Sequence, residues 1–144
     1  MKINIENFKI VPNKMIGVFQ LGESFVEYSE LIKTHGKLID EFTYPTLNVD
    51  VFYQIFLLYD KRIKLFFKEG KLFEIHLYEF TRKILNRYYI GMEINLTKSE
   101  NEFVYSFEDE DVVYLQNVKG LGLLLDYNES DQLIIGGITV FRDS

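Results

Sequence analysis

KRIKLFFKEGKLFEIHLYEF, residues 61–80, makes a hairpin with one dry face in a single register. With the loop centred on Gly70, cross-strand partners sum to 140: Phe67 with Phe73, Leu65 with Ile75, Ile63 with Leu77. One face then carries Ile63, Leu65, Phe67, Phe73, Ile75 and Leu77. Arg62, Lys64, Phe66, Lys68, Leu72, Glu74, His76 and Tyr78 take the other. A slip of one residue mixes the two sets, so burial selects this pairing. Each of these side chains contributes roughly 1.5–3 kcal/mol when fully buried. The stretch therefore predicts the centre of a sheet whose apolar face needs a cover.

The 144 residues suit one domain, and 13 Phe and 10 Tyr against two Pro favour strand over helix. Zero cysteines exclude disulfides, thiol nucleophiles and thiolate metal sites. The start, MKINIENFKIVPNK, has no signal-peptide core. No run reaches the about 18 apolar residues of a membrane span. These features predict a soluble, cytoplasmic protein without a membrane partner. The net charge of −6 and the lack of a basic stripe argue against nucleic acid as a partner. They favour a basic protein instead, through electrostatic complementarity.

Outward from the hairpin, residues 2–11 read as a strand ended by Pro12, and 16–21 as extended. Ser24-x-x-Glu27 is a capping box opening a helix over 25–34, which His35-Gly36 closes with a left-handed glycine. A short strand follows over 37–42. Residues 48–59 form another, with Val49, Val51, Tyr53, Ile55 and Leu57 as its core face. Residues 79–90 fit either a helical turn or an irregular crossover, and 90–96 a strand. Ser99-x-x-Glu102 opens a second helix over 99–107. A strand over 112–116 and a hairpin of 120–126 with 132–141, turning at 128–131, complete the chain. Gly136-Gly137 inside its last strand marks a bulge or a close backbone approach.

The two parts of the chain rhyme. Leu21, Ser24, Glu27 and Tyr28 answer Leu96, Ser99, Glu102 and Phe103 at constant offset, and 61–80 answers 119–141. The expected fold is α+β: one domain over 1–144, a predominantly antiparallel sheet of two similar strand-helix-strand-meander halves, about 13–80 and 86–141. The run P-x4-G-x3-L-G-x-S-x2-E over 12–27, followed by strands, resembles bacterial helix-plus-four-strand domains. The β-lactamase-inhibitor-like fold is a tandem of such units, and a related outer-membrane assembly lipoprotein domain has one. This chain lacks the cysteines of both. The resemblance implies a protein-binding surface and transfers no contact residue.

The residues offer little catalytic chemistry. His35 sits at a helix end and His76 opposite Lys64, neither with a second ligand at metal spacing, and no G-x-S-x-G elbow or phosphate loop occurs. The expectation is a non-enzymatic protein without cofactor or metal. Four consecutive acids, Glu108, Asp109, Glu110 and Asp111, read first as a solvated turn and next as a patch for a basic partner. In the second reading Tyr105 and Tyr114 supply the apolar anchors. In character the chain is similar to immunity proteins that neutralise a toxin domain, such as a basic nuclease, by mimicking phosphate charge. Two other readings stand beside it: a small-molecule-binding or hydrolytic pocket between sheet and helix, and an assembly subunit that pairs through a sheet edge.

Overall fold

The computed structural model describes residues 4–96, 102–105 and 111–142. In chain order its elements are β1 (Ile10–Val11), β2 (Met15–Ile16), β3 (Phe19–Gln20), α1 (Ser29–His35), β4 (Gly36–Pro45), β5 (Asp50–Leu58), β6 (Ile63–Lys68), β7 (Lys71–Leu77), β8 (Phe103–Tyr105), β9 (Val112–Leu115), β10 (Leu121–Tyr127) and β11 (Leu133–Phe141). β1 to β3 form a small meander. The other eight make one antiparallel sheet in the order β4-β5-β6-β7-β11-β10-β9-β8. Two four-stranded meanders thus meet along β7 and β11.

The central hairpin forms where the sequence placed it, with Ile63 opposite Leu77 and Leu65 opposite Ile75. Near the turn the register shifts. Phe67 faces Leu72 and Lys68 faces Lys71, so Phe73 is the bulged residue. Glu69 and Gly70 both have positive φ, the geometry of a two-residue turn that matches the strand twist. That tight turn consumes one residue fewer than a loop centred on Gly70, and β7 absorbs the difference as a bulge. Leu72 is therefore buried in place of Phe73, which turns to the other face.

The inner face carries Phe56, Leu58, Ile63, Leu65, Phe67, Leu72, Ile75, Leu77, Leu121, Leu123, Ile138 and Val140, all buried. The meander covers it with Ile16 and Phe19, the segment before β4 with Tyr28 and Ile32, and residues 79–90 with Phe80, Ile84 and Tyr88. Residues 79–90 are the irregular crossover of the two alternatives. Ile84 and Tyr88 exchange backbone hydrogen bonds around Leu85 and Asn86, both at positive φ.

Several expectations are corrected. β5 buries Phe56 and Leu58, not the Val49, Val51, Tyr53, Ile55 and Leu57 set, because pairing of Phe56 with Leu65 and Leu58 with Ile63 fixes its face. Both faces of that strand carry large apolar residues, so composition alone chose wrongly. The strand expected over 2–11 is a 3-10 turn, Ile5–Asn7, and then the short β1. The helix over 25–34 begins as a 3-10 turn, Phe25–Tyr28, before α1, and Ser24 Oγ accepts from the Val26 amide. Gly36 is extended at φ −131°, because the chain enters β4 directly; glycine is used there because a Cβ would lie 2.9 Å from Leu58. Residues 90–96 form no named strand. They run along the first half of β11 through Gly91, Met92 and Ile94 backbone bonds. Phe103–Tyr105 is strand, not helix, because it pairs with β9; residues 97–101 and 106–110 of that region lie outside the described residues. The Gly136-Gly137 expectation holds, since the register of β10 and β11 shifts beside it.

Candidate functional site

β4 ends the sheet, and every residue of it after Gly36 is exposed. It has no strand partner on its outer edge among the described residues. The β4–β5 ribbon is longer than its neighbour: β6 pairs from Tyr53 onward and Glu69 of the next turn bonds Phe52, so the ribbon beyond that point projects as two strands bonded to each other. A Thr46–Val49 turn closes its tip. The Thr46 amide donates to Val49 O at 3.1 Å, and the Val49 amide to Thr46 Oγ1 at 3.2 Å. The arm carries Tyr44, Leu47 and Val49 well exposed, and Leu38, Ile39 and Phe42 along β4 extend the apolar surface. A two-stranded ribbon is marginal by itself, and a contiguous exposed apolar patch marks an interaction site. Asp40 and Glu41 lie at the middle of this edge.

The outer face of the sheet holds a second constellation. Cross-strand register places Lys64, His76, Thr139, Gly122, Tyr114 and Val104 in one row from β6 to β8. His76 is bonded on both sides by residues two places before and two after it in the chain. Glu74 takes Nε2, and the Tyr78 hydroxyl lies 2.9 Å from Nδ1. A carboxylate only accepts, so neutral His76 carries its proton on Nε2 and the tyrosine O–H donates to Nδ1. Phe66 packs 4.4 Å from the imidazole, and Lys64 lies over Phe66 and Tyr78. Thr139 Oγ1 is buried there without a hydrogen-bond partner among the described residues. Aromatic contacts continue the strip from Phe66 through Phe73 and Tyr53 to Phe42 on β4. The histidine's two nitrogens are used within the trio, which fits a satisfied polar cluster in an aromatic setting.

Burial pushes the Tyr78 hydroxyl up to about 12, with the Glu74 charge adding to it. Tyr88 also rises to about 12, first through burial and then through its hydrogen bond to Glu102, whose carboxylate Arg87 pairs at 2.8 Å. Unfolded tyrosine titrates near 10. The stability that each neutral phenol supplies is whole below that pH, and it is lost as pH rises from about 10 through about 12. Urea midpoints should therefore fall across that window. The Tyr78→Phe, Tyr88→Phe double variant should show a shallower fall; an unchanged slope would contradict the assignment.

Of the acidic run and its anchors, Glu108, Asp109 and Glu110 lie outside the described residues, as does the Tyr105 side chain. Asp111 is exposed just before β9, and its carbonyl accepts from the Leu125 amide at 2.6 Å. Tyr114 is half-buried, packed edge-on against Phe141 at 5.2 Å. Asp111 and Tyr114 lie at β9, beside β8 and the sheet end opposite β4. Among the described residues no three His, Asp or Glu side chains gather at metal-binding distance. No helix among them is long and apolar enough to cross a membrane.

The fold has a solved counterpart. The structure of the uncharacterized protein yfeY from Escherichia coli aligns with 93% of this chain and 100% of its own, at TM-score 0.59 and 9% identity. At that identity the likeness shows a shared fold. No protein-family model and no curated protein matches the chain.

Sequence reading passed over the projecting arm. A partial signal was there: β5 carries large apolar residues on both alternating faces, Val51, Ile55 and Leu57 on one and Phe52, Phe56 and Leu58, beside Asp50 and Gln54, on the other. The i, i+2, i+4 spacing of Glu74, His76 and Tyr78 likewise puts three polar groups on one strand face.

Proposed function

We propose that this chain is a non-enzymatic protein-binding domain, and that β4 with the arm at 43–52 is its contact surface. The carrying observation is the open, apolar edge: a free strand with unpaired backbone groups is a template for a partner strand. The filled inner face supports this reading over an interior ligand pocket, since Leu58, Ile63, Leu65, Phe67, Ile75 and Leu77 are fully buried against their cover. Asp40 and Glu41 on the edge, with the net charge of −6, favour a basic partner. An immunity protein that neutralises a toxin domain by direct binding is the form of this reading that the charge supports best. In that form the run Glu108–Asp111 with Tyr105 and Tyr114 would make a second contact at the opposite sheet end. The two meanders meeting along β7 and β11 support a further reading, that the chain is a tandem of related helix-plus-four-strand units.

Co-expression with the product of the neighbouring upstream gene tests the proposal. A stable complex and protection of the host are expected. Leu47→Asp with Tyr44→Asp should weaken the complex about a hundredfold, the loss of two buried apolar anchors, with the melting temperature little changed. Replacing Asp109 and Glu110 with lysine reports on the second contact. A chain that stays free and gives no protection would overturn the toxin reading. A concentration-dependent oligomer in light scattering, abolished by the same arm substitutions, would assign the edge to self-assembly instead.

A further inference from the structure

A separate pocket of about 370 Å³ opens where the turn of the central hairpin meets the end of β11. It is lined by Leu21, Gly22, Glu23, Lys68, Lys71, Leu72, Phe73 and Arg142. Three cations from three elements converge there on an acidic protein. Lys68 and Lys71 are register partners directly opposite each other, with side chains that start roughly 4.5–5.5 Å apart, a like-charge pairing that destabilises a hairpin. The acid closest in sequence does not relieve it. Glu69 turns away, its carboxylate accepting from the Phe52 amide at 2.6 Å. None of the three cations has an ion-pair partner among the described residues. Arg142 donates to Leu21 O at 3.4 Å and lies beside Gly22, whose φ of +91° favours glycine and where a Cβ would come within 2.7 Å of Nη2. That contact anchors the guanidinium at the mouth of the pocket, while its side chain, like those of Lys68 and Lys71, stays exposed.

We propose that this pocket binds a small phosphate monoester. Lys68, Lys71 and Arg142 hold the phosphate, and the half-buried ring of Phe73 receives the organic part. Three cations offset by Glu23 leave a surplus that matches a dianion, and the volume suits a small ligand rather than a peptide strand. Charge-assisted bonds from planar and ammonium donors are the chemistry that recognises phosphate. The site lies apart from the β4 edge and does not depend on the partner-binding reading.

Phenyl phosphate and inorganic phosphate are the probes, titrated by calorimetry and thermal melting at low ionic strength. Both should raise the melting temperature of the wild type, phenyl phosphate more, and added potassium chloride should weaken both. Lys68→Gln with Lys71→Gln should lower affinity tenfold or more, roughly the value of one charge-assisted bond. The same double variant should melt higher than wild type without ligand, because the repulsion is gone; this separates loss of binding from loss of fold. Lys83→Gln, an exposed cation elsewhere, should change neither. A wild type that binds neither probe, or a double variant that binds both as well as wild type, overturns the proposal.

Discussion

Phe67→Ala is expected to lower the unfolding free energy by about 3–5 kcal/mol, and Phe73→Ala by about 1 kcal/mol. In a symmetric hairpin centred on Gly70 the two residues would be equivalent partners. The bulge breaks the equivalence. Phe67 is fully buried, and its ring lies 5.5 Å from Phe25, 5.8 Å from Phe56 and 6.5 Å from Tyr28. Truncation leaves a cavity bounded by three rings from two other elements, none of which can collapse into it freely. Phe73 touches Tyr53 and Phe66 on the outer face and keeps contact with solvent. Leu72→Ala should resemble Phe67→Ala, costing about 2–5 kcal/mol, because Leu72 occupies the inner position. Urea unfolding at constant m-value measures all three. Equal losses at 67 and 73 would place the register back at a sum of 140 and remove the bulge.

Away from its turn the hairpin was legible, because its two residue sets differ so sharply that one register buries Ile63, Leu65, Ile75 and Leu77 together; the bulge that exchanges Phe73 for Leu72 was not. The same logic failed at β5. There Val51, Ile55 and Leu57 compete with Phe52, Phe56 and Leu58, and the choice was made by pairing with β6, a contact that no property of the strand itself encodes. At Ser24 the capping pattern marked a helical start, but the serine caps only the 3-10 turn, and α1 begins at Ser29 without a side-chain cap. At Ser99 the same pattern misled, since Phe103–Tyr105 gains more by pairing with β9 than a short helix could return. Of the candidate contacts, the acidic run was visible as composition. The arm showed only as surplus apolar residues, and its projection did not, because that follows from the unequal lengths of β5 and β6. The anion pocket was invisible for a similar reason: Lys68 and Lys71 are neighbours by sequence, but Arg142 reaches them only through the β7–β11 junction.

Gly120→Ala should be the most damaging small substitution in the chain, costing about 4 kcal/mol or more. Gly70→Ala supplies the comparison. Both glycines have nearly the same backbone, φ +76° and +75°, so both variants share the left-handed penalty of roughly 1–2 kcal/mol. They differ in what a Cβ would meet. At Gly70 nothing lies within 4 Å, whereas at Gly120 the Cα and N of Asn13 lie at 2.3 and 2.5 Å. Neither backbone can step aside. The Asn13 amide donates to Gly120 O at 3.1 Å, the Phe141 amide donates to the same oxygen at 3.1 Å, and Asn13 is itself held at φ +64° in its turn. The added methyl therefore has to push the β1–β3 meander off the large sheet, uncovering Ile16 and Phe19, both fully buried. Hydrogen exchange should register this as lost protection in β2 and β3 together, while the central hairpin stays protected until global unfolding. Gly70→Ala should leave both regions protected and shift only the midpoint. If the two alanine variants were equally stable, the meander would not be seated on the β10 end of the sheet, and the cover of the inner face would need another source.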